Sequence, residues 1–90
     1  MVRINISGKY RENLEEVLQE DSSLKEEVNR KVNWFVKNPA DTRLENHPLT
    51  GHLEGKFAFG ISGDIRIVYE WLGKTTVRFL AIGRHQKVYS

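Results

Sequence analysis

Ninety residues make one domain, residues 1–90, at the low end of the usual size range and with room for only a modest core. With no cysteine, disulfides, thiolate-bound zinc, thiol redox chemistry and a cysteine nucleophile are excluded. No apolar run approaches the roughly 18 residues of a membrane span and no basic-then-apolar leader opens the chain, so a soluble protein of the reducing cytoplasm is expected.

The formal charge of +2 is unevenly spread: residues 1–45 hold 8 Lys or Arg against 9 Asp or Glu, whereas residues 46–90 hold 6 against 3 and all three histidines. A polyanionic partner would therefore bind the second half, although uneven charge is also common in small cytosolic domains.

In chain order, Val2-Arg3-Ile4-Asn5-Ile6 alternates apolar and polar residues and predicts a short strand ending at Ser7-Gly8. Tyr10, Leu14, Val17 and Leu18 then recur at helical spacing among Arg11, Glu12, Glu15 and Glu16. Asp21-Ser22-Ser23 breaks this helix, and Ser23 with Glu26 has the spacing of a capping box. The second helix carries Leu24, Val28, Val32 and Phe35 on one stripe and ends at Asn38-Pro39.

From Ala40 to Gly55 the mixed polarity predicts a long loop. Beyond it the period is two: Phe57, Phe59 and Ile61, then Ile65, Ile67, Tyr69 and Trp71, then Thr76 to Ile82, with turn signals at Ser62-Gly63-Asp64 and Leu72-Gly73-Lys74. The expected fold is α+β, a helix hairpin on one face of a small antiparallel sheet, with the N-terminal strand at its edge and the other face left for function.

His85, just past the last strand, has the proton-exchange chemistry of an imidazole, but a surface histidine near the chain end fits the pattern too. Tyr89 is either a partner to it or an apolar anchor for the tail. Arg66 lies on the strand face opposite Ile65, Ile67 and Tyr69, where it suits either a phosphate or an ion pair with Glu70. Asp64 can orient an imidazole or simply serve the turn. His47 and His52 lie in the long loop, five residues apart with no helical register to aim them at a metal, and no metal or other cofactor is expected. Lys56, Arg78, Arg84 and Lys87 can line an electropositive groove, and no phosphate loop, dinucleotide fingerprint or serine-nucleophile elbow is present.

The order of elements resembles the RelE/ParE toxin superfamily, a microbial-RNase-like fold, over nearly the whole chain. The likeness sharpens at Asn46-His47-Pro48-Leu49-Thr50-Gly51, Leu53-Glu54-Gly55, Gly63-Asp64-Ile65-Arg66-Ile67-Val68-Tyr69 and Ile82-Gly83-Arg84-His85-Gln86-Lys87-Val88-Tyr89. That succession is similar to the YafQ branch, and the resemblance implies His47, Asp64 and His85 as catalytic residues of mRNA cleavage. Arg66 matches the arginine of the Gly-x-Arg-x-Val-Tyr segment of RelE, and Tyr89 its C-terminal tyrosine. Lys56, Arg84, Lys87 and Tyr89 are then the candidates for substrate binding.

The sequence also departs from that pattern. The lysine pair of RelE falls at Phe57 and Phe59, Gly60 replaces a histidine of YafQ-like proteins, Ile65 a tryptophan and Ala81 an arginine. The resemblance implies a type II toxin cutting mRNA on the ribosome by metal-free attack of the 2′-OH, with His85 as proton donor, and silenced by a cognate antitoxin. The alternative is a non-catalytic ParE-like gyrase inhibitor or a toxin with a decayed site, away from which the terminal His85 leans.

Overall fold

The alternating opening segment forms strand β1 (Arg3–Ile6), described with the rest of residues 1–89 in a computed structural model. Ser7 ends it. The Ser7 hydroxyl accepts from the Tyr10 backbone N–H and donates to the Leu80 carbonyl, so one side chain both caps helix α1 (Gly8–Glu20) and ties it to the sheet. Helix α2 (Leu24–Lys37) stops ahead of Asn38-Pro39, as the proline requires.

The capping box expected at Ser23 and Glu26 does not form. Ser23 already has helical backbone angles, and its N–H donates instead to Asp21 Oδ1 at 3.0 Å. The carboxylate two residues upstream takes the Ser23 N–H that the Glu26 side chain was expected to serve.

The stretch expected as one long loop contains two short 3-10 turns, Thr42–Leu44 and Gly51–Leu53, and between them the two-residue strand β2 (His47–Pro48). The first turn buries Leu44 completely. Strands β3 (Phe57–Ser62), β4 (Ile65–Trp71) and β5 (Thr76–Arg84) form the expected meander, and the one-turn helix α3 (His85–Val88) follows.

The sheet has five strands in the order β1-β5-β4-β3-β2. All neighbouring pairs are antiparallel except β1 with β5, so the sheet is mixed where an antiparallel one was expected. The helix hairpin separates β1 from the meander, and no tight turn obliges it to run against its neighbour.

Both helices pack on one face, over an aromatic cluster. Phe35 from α2 is wholly buried, stacked on Phe59 at 4.6 Å and edge-on to Tyr69 and Phe79 at 4.9 and 5.9 Å. Each such ring contributes about 1.5–3 kcal/mol by burial, before any gain from ring geometry. Val17 and Val28 are buried as the helical stripes predict, while Leu14, Leu18 and Val32 are half-buried.

The opposite face is partly covered, contrary to expectation. Ala58, Val68 and Ala81 lie buried under Val88, with Leu49, Leu80 and Tyr89 packed around them. Small residues let this cover lie close: a Cβ on Gly83 would already be in van der Waals contact with Val88 Cγ1, at 3.4 Å. No helix is long and apolar enough to cross a membrane among the described residues.

Candidate active site

Strand alternation sets Arg66. Ile65, Ile67 and Tyr69 turn to the aromatic core, so Arg66 and Val68 turn to the opposite face. The cross-strand neighbours of Arg66 are both glycines, Gly60 on β3 and Gly83 on β5. The guanidinium uses that room: a Cβ built on Gly60 would lie 2.7 Å from Arg66 Nη1.

The ion pair with Glu70 left open by the sequence is not made. Glu70 instead faces Lys56 at 3.8 Å and Arg78 at 3.6 Å, and among the described residues no carboxylate pairs with Arg66. Beside Arg66 lies a depression of about 80 Å³ lined also by Lys31, Arg43 and Glu45. A half-buried, unpaired guanidinium is well suited to hold a phosphate through two parallel hydrogen bonds.

His85 and Tyr89 meet because α3 is a single turn. The Tyr89 N–H donates to the His85 carbonyl at 3.2 Å, which brings the rings edge to face with centroids 4.2 Å apart. The Tyr89 hydroxyl is buried without a hydrogen-bond partner. Burial raises its pKa, and the nearby positive charge of Arg66 partly opposes the rise. The phenol and the exposed imidazole are thus in direct contact, and Arg66 lies near enough for the phenol to feel its charge.

His47 and Asp64 are held by other partners. His47 lies on β2 opposite Ala58, two positions along β3 from Gly60, and its Nδ1 is 2.8 Å from the Glu45 carbonyl. A carbonyl only accepts, so Nδ1 carries the proton in this bond, and the neutral ring keeps a lone pair on Nε2. Asp64 sits in the β3–β4 turn after Gly63, whose φ of +56° a side chain would strain. Its carboxylate accepts from Arg84 Nη1 at 3.1 Å rather than from an imidazole.

Of the substrate-binding candidates, Tyr89 lies against His85 and the three cations are held at the surface. Lys56 faces Glu70, Arg84 pairs with Asp64, and Lys87 bonds Glu16, which raises the lysine pKa. Ion pairs near the surface are weak, so Lys56 and Arg84 can exchange their carboxylates for a polyanion at little cost. No group of three or more His, Asp or Glu side chains able to hold a metal occurs among the described residues.

Two features were not visible in the sequence. Gly60 is the space into which Arg66 extends, and the signal for it, a glycine directly across from the arginine, needs the turn register to be known. The second is Arg43, whose guanidinium lies 3.6 Å over the Trp34 ring and makes two hydrogen bonds to Asp41, at 3.0 and 2.7 Å. Those bonds hold the Asp41 carboxyl down at about 2.

Neither a family model nor a curated protein matches the chain. Solved structures do. YafQ from Escherichia coli superposes with a TM-score of 0.81 at 17% identity, over 100% of both chains. The YoeB/ParE toxin from Agrobacterium tumefaciens gives 0.78 at 18%, over 93% of this chain and 99% of that one. The Escherichia coli DinJ–YafQ toxin–antitoxin complex gives 0.78 at 20%, over 99% and 98%. At these identities the likeness is one of architecture: two helices on a five-stranded mixed sheet, the RelE-like fold of the YafQ and YoeB toxins.

Proposed function

We propose that this chain is the toxin of a type II toxin–antitoxin pair and cleaves mRNA on the ribosome. The observation that supports this reading is the grouping of Arg66, Tyr89 and His85 on the sheet face opposite the helices. In the proposed reaction the 2′-OH of the substrate attacks the adjacent phosphorus. The P–O5′ bond breaks, leaving a 2′,3′-cyclic phosphate and a free 5′-OH. Arg66 neutralises the extra charge on the phosphorane, and His85 protonates the departing 5′-oxygen. His47, with its Nε2 lone pair free, assists the nucleophile, and Asp64 positions Arg84 against the RNA backbone.

Such a site has few groups with which to orient RNA, so the ribosome supplies much of the alignment. A cognate antitoxin silences the toxin by covering the groove of Arg66 and His85, a reading supported by the likeness of this chain to a toxin–antitoxin structure, the DinJ–YafQ complex.

The test is primer extension on mRNA from cells expressing the parent chain, His85→Ala or His85→Gln. The parent is expected to arrest growth and leave discrete cuts, and either substitution to lower single-turnover cleavage on ribosomes about 10²–10⁴-fold. Glutamine keeps the hydrogen bond but transfers no proton near neutral pH. A glutamine variant within about threefold of the parent, worth only ~0.6 kcal/mol, removes His85 as the acid. Growth arrest with intact mRNA and a DNA-damage response would instead identify a gyrase binder.

A further inference from the structure

His52 has no role in the reaction described above, yet it lines a pocket that adjoins the reacting group. The pocket measures about 260 Å³ and is walled by Pro48, Leu49, Leu53 and Tyr89, with Thr50 and His52 as its polar lining. Ligand pockets for drug-sized molecules begin at roughly 300 Å³, so this one has room for a single ring system.

The polar groups have unused capacity. Thr50 occupies the position before the Gly51–Leu53 turn, but its side chain makes no capping bond. His52 is exposed, and among the described residues neither side chain has a hydrogen-bond partner. The loop is also held in place before any ligand arrives. Gly51 and Gly55 take φ values of +66° and +90°, the Leu49 N–H donates to the Lys56 carbonyl at 2.9 Å, and the Lys56 N–H donates to that of Leu53 at 3.0 Å.

We infer that this pocket binds one base of the RNA substrate, with the base faces against Leu49, Leu53 and the Tyr89 ring and its edge read by Thr50 and His52. Apolar walls with polar groups at the rim match a nucleobase, which has π-faces and a hydrogen-bonding edge. Tyr89 links the two places: it walls the pocket, touches the His85 ring and feels the charge of Arg66. The pocket thus selects among nucleotides for the nuclease proposed above, and it rests on that reading for its biological meaning, though not for its test.

The experiment is an NMR titration of the folded chain with millimolar adenosine, guanosine, cytidine and uridine 3′-monophosphates, alongside ribose 5-phosphate and N-acetyltryptophanamide. At least one nucleotide is expected to shift the amides of Leu49, Thr50, His52 and Tyr89, and ribose 5-phosphate to leave them in place. His52→Ala, a change at an exposed position outside the core, should weaken binding of that nucleotide about three- to tenfold, the value of one lost hydrogen bond. Thr50→Val should do the same.

Shifts confined to Arg66 and His85, equal shifts with ribose 5-phosphate, or no shift at all would each overturn the base pocket. So would a response to N-acetyltryptophanamide alone, which would assign the pocket to a protein side chain. Binding is read away from the ribosome, so the two readings fail separately. Cleaved mRNA without base binding removes the pocket, and base binding without cleavage removes the nuclease.

Discussion

Gly60→Ala separates stability from activity at one position. Gly60 has an ordinary negative φ, absent from the left-handed positions, so alanine fits the backbone. Such replacements stabilise by about 0.4–1 kcal/mol through the unfolded state. The added Cβ meets Arg66 Nη1 at 2.7 Å, but its next contact, the Leu44 carbonyl oxygen, is at an ordinary 3.6 Å. Only the tip of one flexible side chain has to move. Stability should therefore stay level or rise by up to about 1 kcal/mol, a gain in Tm of at most roughly 4–8 °C for a domain of this size.

Cleavage should respond the other way. Removing one preorganised donor from a developing oxyanion costs about 10²–10³-fold in kcat, which bounds the effect of losing Arg66 altogether. Displacing the guanidinium by an ångström or so should cost part of that, about tenfold, mostly in kcat. The checks are a thermal melt and single-turnover cleavage on programmed ribosomes. The decisive one is the double mutant: if Gly60→Ala acts through Arg66, it should have no further effect in an Arg66→Ala background. Full activity in Gly60→Ala, or additive losses in the double mutant, would refute the argument.

Two further predictions concern the core, and both are read by unfolding. Phe35→Ala removes the ring that contacts Phe59, Tyr69 and Phe79 together, and should cost about 3–5 kcal/mol in urea denaturation; a loss below 1 kcal/mol would mean the cluster is not the core. The Tyr10 phenol is pushed up to about 12 by burial, from the usual 10.0. A raised pKa favours the protonated fold, so its contribution is complete below pH 10 and is lost as pH rises toward 12, by about 3 kcal/mol in all. Tyrosinate absorbance should show at least one ring ionising only together with alkaline unfolding, and an early, unfolding-independent titration of all three tyrosines would contradict this.

The architecture was legible wherever periodicity carried it. The change from helical spacing in Val28, Val32 and Phe35 to alternation in Phe57, Phe59 and Ile61 placed helices and strands, and the alternation of β4 correctly sent Arg66 away from the core. What periodicity could not convey was pairing. The parallel partnership of β1 with β5 depends on contacts more than seventy residues apart, such as Ile4 with Val77. The two bulges, which leave Ile61 and Leu80 without a direct partner, likewise shift register in a way no single strand announces. The Ser23 capping box failed because Asp21 competed for the same donor and won.

The candidate site follows the same division. Tyr89 reads in the sequence either as a partner of His85 or as an anchor for the tail, and it is both: one helical turn brings the two rings together, and the phenol ring packs against the Ala58, Val68 and Ala81 cluster. The catalytic roles of His47 and Asp64 come from resemblance alone, and in the structure their partners are the Glu45 carbonyl and the Arg84 guanidinium.

The two faces of the sheet explain why so small a protein can carry both a core and a cleft. Bulk is concentrated on the helix side, where four rings, Phe35, Phe59, Tyr69 and Phe79, fill the space between layers. On the opposite side the central positions are Ala58, Gly60, Val68, Ala81 and Gly83, too small to fill a layer of their own. That deficit has two consequences. It lets the single turn of α3 lie close against β5, which fixes His85 and Tyr89 at the strand end. It also leaves Arg66 flanked by two glycines, with room to lie along the sheet rather than extend into water, where it would lose its orientation. Added volume should therefore act by position: a methyl at Gly60 stabilises the fold while degrading the site, whereas a larger side chain at buried Ala58 or Ala81 pushes against the α3 cover and costs about 1–3 kcal/mol as well.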